Sequence, residues 1–146
     1  TPVPTDPSIN DTLNKRLSRS EFMPFAPSVL DKAAPDIFKN FAKGSYTSKF
    51  MTVTFDLHED WAKKIPAVVH VDGTARPQVV SERDNPRYYG IIQEYFNLSG
   101  LPAILNTSFN VHEEPIVCQP QEALRALAEN RIDVLVLEDY LVYRGN

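Results

Sequence analysis

The chain has a single cysteine, Cys118, among its 146 residues, so no disulfide can form within it. That usage is expected of a chain kept in a reducing compartment. A lone cysteine reads as a small, partly buried apolar filler before it reads as a nucleophile. No apolar run approaches the ~20 residues that a membrane-spanning helix needs, and no basic-then-apolar leader opens the chain. A soluble, cytoplasmic protein is therefore the expectation. Basic excess is missing too: 15 Lys and Arg against 19 Asp and Glu give a net charge of −4, and the pI is near 5.3. Nucleic acid is disfavoured as a main partner, although a small anion needs only a local basic pocket. His58, His70 and His112 show no metal-ligand spacing with one another or with Cys118, so no metal site is expected. The phosphate-binding P-loop, the nucleophile elbow and the dinucleotide glycine fingerprint are all absent. Any nucleotide site must be of another kind.

What is present is a globular composition, 42% hydrophobic and 23% charged. The length suits one domain with a core of its own. The opening TPVPTDPS begins at Thr1 and is Pro-punctuated, which suggests a cut in a linker over 1–8 with the domain running over 9–146. Ser8 or Asn10 can cap a short helix carrying Ile9, Leu13 and Leu17 at four-residue spacing. Pro24 and Pro27 bracket FMPFAPSVL, which reads as a strand or strand edge. A short helix over 31–40, a loop around Gly44, and strands in MTVTFDL (51–57) and AVVHV (67–71) follow. DGT (72–74) marks a turn before RPQVV. Asn85 and Pro86 start a helix that Gly100 ends, with Tyr88, Ile91, Ile92, Tyr95 and Phe96 on one face. LPAIL (101–105) is a strand, Pro120 opens a last helix, and VLVL (134–137) and YLVY (140–143) are strands. VLVL lacks alternation, so both its faces are expected to be covered. The sum is an α/β (α+β) domain with a mixed sheet.

Four segments are polar where a core is expected. In NKRLSR (14–19), Lys15 and Arg19 share a helix face, suited either to an anion or to a solvated C-terminal turn. In HVDGTAR (70–76), Arg76 follows a turn, free for bidentate phosphate contact or paired locally with Asp72. In NTSFN (106–110), an apolar strand ends in Asn106, Thr107, Ser108 and Asn110. Ligands of α/β sheets bind beyond such carboxyl ends, although Asn and Ser are also ordinary turn residues. The acidic stretches HEEP (112–115) and SERD (81–84) could hold a Mg²⁺ brought by a nucleotide, or line solvated loops.

The blocks LNKRLSRSEFMPFAPSVL, IPAVVHVDGTARPQVV, GLPAILNTSFNVHEEPIV and IDVLVLEDYLV, in this order, resemble the C-terminal domain of NodU/CmcH-type O-carbamoyltransferases. The likeness runs from about Asp6 to Arg144. Those enzymes act on nodulation factors, cephalosporins and aminoglycosides. The resemblance implies a YrdC-like fold, a twisted open sheet with flanking helices, that combines ATP, with its Mg²⁺, and carbamoyl phosphate into carbamoyl-adenylate. An N-terminal transfer domain of the same polypeptide, holding iron, would then pass the carbamoyl group to the hydroxyl of a small molecule or glycan.

Carried over by motif, Ser108 and Asn110 match the S-x-N signature and would contact the adenylate. Arg76 of DGTAR would contact phosphate. Arg19 fills the arginine of the family's K-x-R. Arg19, Arg76 and Ser108 are thus the expected catalytic residues, with Lys15, Arg16, Asn106, Thr107 and Asn110 around the nucleotide and carbamoyl phosphate. The chain departs from the pattern at Leu17, where K-x-R has its lysine, and at Met23, where an arginine precedes PFAP. Lys15 or Arg16, one turn earlier, would substitute. Two other readings stand beside this one: a module that binds nucleotide or its partner domain without catalysis, motivated by Leu17 and Met23, and a YrdC- or HypF-like enzyme of tRNA or hydrogenase maturation.

Overall fold

The computed structural model describes residues 4–18, 25–111 and 113–145. Arg19, Met23, Pro24 and His112 lie outside the described residues. The chain packs as two compact units. The first comprises residues 1–10 and 24–107, the second 11–23 and 108–146. Both helices and mixed open sheets are present, an α/β architecture. Among the described residues no helix is long and apolar enough to cross a membrane.

The first unit is built on a three-stranded sheet of order β4-β1-β5, comprising β1 (Ala26–Leu30), β4 (Gln78–Val80) and β5 (Ala103–Asn106). β1 runs parallel to β4, with Ser28 opposite Gln78, and antiparallel to β5, with Ala26 opposite Asn106. The proline-bearing segment is therefore the central strand and not an edge. Its tolerance of Pro27 follows from the register. The Leu30 amide donates to Pro102 on the β5 side and the Asp31 amide to Val80 on the β4 side. The nitrogen of residue 27 thus faces β4, whose ladder begins only at Ser28. Proline's missing N–H costs no ladder bond there.

Helix α4 (Pro86–Ser99) covers one sheet face. Asn85 caps it by accepting the Tyr88 amide, and Gly100 ends it in the left-handed conformation at φ 74°. Leu30, Val80, Tyr89, Ile92 and Ile104 form the core between them, with Tyr88 and Tyr95 at its margin. The buried stripe runs through Tyr89, while Ile91 and Phe96 are exposed, so the expected face is rotated by part of a turn.

Two expected strands are mostly something else. Only Phe55–Asp56 of MTVTFDL forms a strand, β2, paired with β3 (Thr74–Ala75). Thr47–Phe50 is a 3₁₀ turn, and Gly44 leaves room there for the Phe55 ring, whose Cζ would lie 2.7 Å from a Cβ at that position. AVVHV yields a 3₁₀ turn over Pro66–Val68, where the Ala67 amide donates to the Pro4 carbonyl. Pro66 pre-sets a helical φ at the turn's first position, and that local constraint overrides the β propensity of the valines. The other short helices are α2 (Ala34–Ile37) and α3 (Glu59–Lys64).

Helix α1 (Ile9–Arg16) leads from the first unit into the second. Its start is fixed by Asp6, whose carboxylate accepts the Ser8 amide and hydroxyl at 2.9 and 2.7 Å. The second unit holds α5 (Pro120–Ala128) against the hairpin β6 (Val134–Leu137) and β7 (Tyr140–Tyr143). Glu122 secures the start of α5 by accepting the Cys118 and Gln119 amides, both at 2.9 Å. Ala123, Leu127 and Leu135 form its core. VLVL alternates after all: Leu135 is buried while Val134 and Val136 are exposed. Cys118 is exposed, not a partly buried filler.

Truncating Ile92, which is fully buried, to alanine leaves a cavity between α4 and the sheet. Ile92→Ala should cost about 2–5 kcal/mol, and Ile91→Ala on the open side well under 1. The shift in urea midpoint at constant slope measures both.

Candidate functional site

The expected site residues divide between the two units. Arg76, Asn106 and Thr107 belong to the first, and Lys15, Arg16, Ser108 and Asn110 to the second.

In the first unit, Asn106 ends β5, and its side-chain amide donates to Gln78 Oε1 at 2.9 Å. The same oxygen accepts the Ser28 hydroxyl at 3.0 Å, and Ser28 Oγ accepts the Tyr88 hydroxyl at 2.8 Å. Ser28 is fully buried in the central strand, where an unpaired hydroxyl would be costly. Two donors converging on Oε1 fix which end of the Gln78 amide carries oxygen. Burial pushes the Tyr88 phenol up from its ordinary pKa, so it stays protonated and donating.

Gln78 and Tyr88 also line a cavity of about 340 Å³ with Tyr46, Lys49, Phe50, Ser81, Arg83, Asp84 and Asn85. Lys49 pairs with Asp84 at 2.5 Å, and Arg83 touches the other carboxylate oxygen at 3.2 Å. Lys49, then Ser81 and Arg83, pull the Asp84 carboxyl down from 3.8 to about 2. Two cations against one carboxylate leave a net positive wall. The rings of Tyr46 and Phe50 meet edge-on at 5.5 Å and are both exposed.

Arg76 is exposed just beyond β3. It is not paired with Asp72: that carboxylate accepts the Thr74 amide at 3.0 Å and the Thr74 hydroxyl at 2.8 Å, which lowers its pKa. His70 shares a 3.1 Å hydrogen bond with the Thr74 hydroxyl. Burial pushes its pKa down, and nearby Arg76 adds to that while Asp72 opposes it. The turn thus consumes Asp72 internally and leaves the Arg76 guanidinium in solvent.

In the second unit, the Ser108 hydroxyl donates to Asn110 Oδ1 at 2.5 Å, and the Asn110 amide donates to the Glu114 carbonyl at 2.8 Å. The two S-x-N side chains are therefore brought together. Asn110 lines a cavity of about 390 Å³ with Leu17, Phe109, Glu122, Arg125 and Arg131 among its walls. Leu17 is buried, so the position matched to the family lysine is an apolar anchor. On the last turn of α1, Lys15 is exposed and Arg16 pairs with Asp133 at 2.9 Å. Glu114 is met by Arg131 at 3.3 Å. Among the described residues no group of three or more His, Cys, Asp or Glu could hold a metal ion.

Residues 2–144 match the family described as carbamoyltransferase C-terminus. The chain belongs to that family. Within it, an uncharacterized protein of Methanocaldococcus jannaschii is 38% identical over 97% of this chain. Nodulation protein NolO of Bradyrhizobium diazoefficiens is 36% identical over 97%, and nodulation protein U of Rhizobium tropici 39% identical over 74%. This carbamoyltransferase C-terminal domain spans a quarter or less of those relatives, between 18% and 25% of their lengths.

Sequence reasoning missed Gln78, Ser28 and Tyr88. A signal existed: Ser28 is polar within the apolar strand APSVL, and Gln78 is polar on the same strand face as buried Val80. Replacing Gln78 with leucine removes the acceptor of the Ser28 hydroxyl and should cost about 1–3 kcal/mol, and Tyr88→Phe about 1, read as changes in thermal unfolding. The Asp84 carboxyl, followed by NMR, should titrate near pH 2. Because its pKa is depressed, the stability it lends is present above about pH 4 and fades as pH falls toward 2. Lys49→Ala should move the midpoint upward, yet keep it below 3.8 while Ser81 and Arg83 remain.

Proposed function

We propose that this domain binds ATP and carbamoyl phosphate and forms carbamoyl-adenylate, which a preceding transfer domain delivers to a hydroxyl of a small-molecule or glycan acceptor. Membership of the carbamoyltransferase C-terminus family supports a carbamoyltransferase role. The observation that carries the ligand reading is Asn106, a side-chain amide held by a partly buried hydrogen-bond chain at the carboxyl end of β5. Pre-oriented neutral donors and acceptors at such an end suit a ligand better than a solvated turn does.

In this reading carbamoyl phosphate first loses phosphate to water, leaving carbamate. A carbamate oxygen then attacks the α-phosphorus of ATP, the bond to the β-phosphate oxygen breaks, and pyrophosphate leaves. Such chemistry needs positioning and charge neutralisation more than covalent help. Arg76 would meet phosphate with its solvent-exposed guanidinium, and Ser108 and Asn110 would meet the adenylate. Arg19 and Lys15 or Arg16 would add positive charge, with Asn106 and Thr107 near the nucleotide. The Arg16–Asp133 pair is exposed, and such pairs are weak enough to yield to a phosphate.

Two carboxylates of the acidic stretches already carry cationic partners. Glu114 is matched by Arg131, and Asp84 by Lys49 and Arg83. Mg²⁺ belongs to this reading only as the counter-ion of the triphosphate.

Buried Leu17 motivates a second reading, in which the domain binds nucleotide or its neighbour without catalysing. Lys15→Ala and Arg19→Ala in the full-length polypeptide separate the two. Catalysis predicts lost turnover, and a docking role predicts surviving turnover with weaker domain association. For the main reading, calorimetric titration with ATP, Mg²⁺ and carbamoyl phosphate should show binding, with pyrophosphate released. Arg76→Ala should weaken nucleotide binding about 10- to 100-fold, the scale of one charge-assisted phosphate contact. Folded protein that binds neither ligand at millimolar concentration contradicts the proposal.

A further inference from the structure

The β6–β7 hairpin is apolar on both faces, and only one is covered. Leu135, Leu137 and Val142 turn toward α5 and its Ala123 and Leu127. The register sets Val134 opposite Tyr143 and Val136 opposite Leu141, so these four side chains share the other face. They are 42%, 62%, 60% and 62% exposed, in the order Val134, Tyr143, Val136, Leu141. No charged side chain interrupts them: Glu138 and Asp139 sit in the turn, while Asp133 and Arg144 flank the strands. A two-stranded hairpin is marginal in water, and a contiguous apolar face of this kind marks a contact surface.

We propose that this face is the seat of the preceding part of the same polypeptide. Two observations select that occupant. The family is described as a carbamoyltransferase C-terminus, so the unmatched length of its members lies ahead of the matched stretch. That length is about three quarters of each relative or more. An uncharged face suits a permanent apolar partner rather than a nucleic acid or an acidic ligand, and a segment tethered in the same chain meets it at high effective concentration. The inference rests on the reading of this chain as the C-terminal portion of a longer transferase. It is independent of which nucleotide or carbamoyl donor that enzyme takes.

The experiment uses the native full-length polypeptide. Its intact mass should far exceed 16.5 kDa; a native mass of that size overturns the proposal. In a Cys118→Ser background, Val136→Cys should react with a maleimide at least tenfold more slowly than Leu98→Cys, whose site is 87% exposed. Equal rates overturn it. A benzophenone-bearing amino acid in place of Leu141 should cross-link, on irradiation, to residues ahead of Thr1, with a yield unchanged by dilution. Cross-links between two copies that vanish on dilution would assign the face to self-association and overturn the proposal. Should the face be covered while ATP and carbamoyl phosphate still fail to bind, the ligand reading falls and this one stands.

Discussion

The buried Ser28 hydroxyl is the constraint around which the first unit is arranged. A polar atom in the middle of a central strand, fully removed from water, must find partners or cost about 1–3 kcal/mol. Tyr88 from α4 and Gln78 from β4 supply them, and Gln78 passes the connection on to Asn106 of β5. One hydroxyl thereby ties three strands and the covering helix to one register. A one-residue slip of β4 would turn Gln78 to the opposite face and set Val79 against Ser28. The same chain of bonds that holds the fold also orients the amide at the carboxyl end of β5, so packing and site geometry are a single problem here.

The elements with strong local punctuation were legible. Asn85-Pro86 and Gly100 bounded α4, Pro120 opened α5, and the polar stretch after PAIL marked the end of β5 at Asn106. What failed depended on neighbours. AVVHV has β propensity, but Pro66 and the bond from Ala67 to Pro4 make a 3₁₀ turn of its start. Pro27 left a strand or a strand edge open, and only the pairing register reveals a central strand in which its nitrogen faces a gap in the ladder. VLVL reads as a strand covered twice because both of its faces are apolar, yet exposure alternates along it.

The candidate site was legible by residue type and not by assembly. Asn106 stood out as a polar residue after an apolar strand. Gln78 acquires its role only when β1 and β4 align in parallel, a pairing between residues 50 apart that no local pattern encodes. At Asp72 the sequence left pairing with Arg76 open, and Thr74, two residues on, offers an amide and a hydroxyl at once and holds that carboxylate instead. In the second unit the S-x-N pair is joined directly, while Leu17 shows where an expected cation gives way to an apolar anchor.

The most direct test of this account is a double-mutant cycle between Ser28 and Asn106, which are linked through Gln78. Ser28→Ala, Asn106→Ala and the double variant would be compared by denaturant unfolding. If Gln78 couples the two, the double variant departs from the sum of the singles by more than about 0.5 kcal/mol. Free energies that add within about 0.3 kcal/mol would contradict the claim that one hydrogen-bond chain organises sheet and site together.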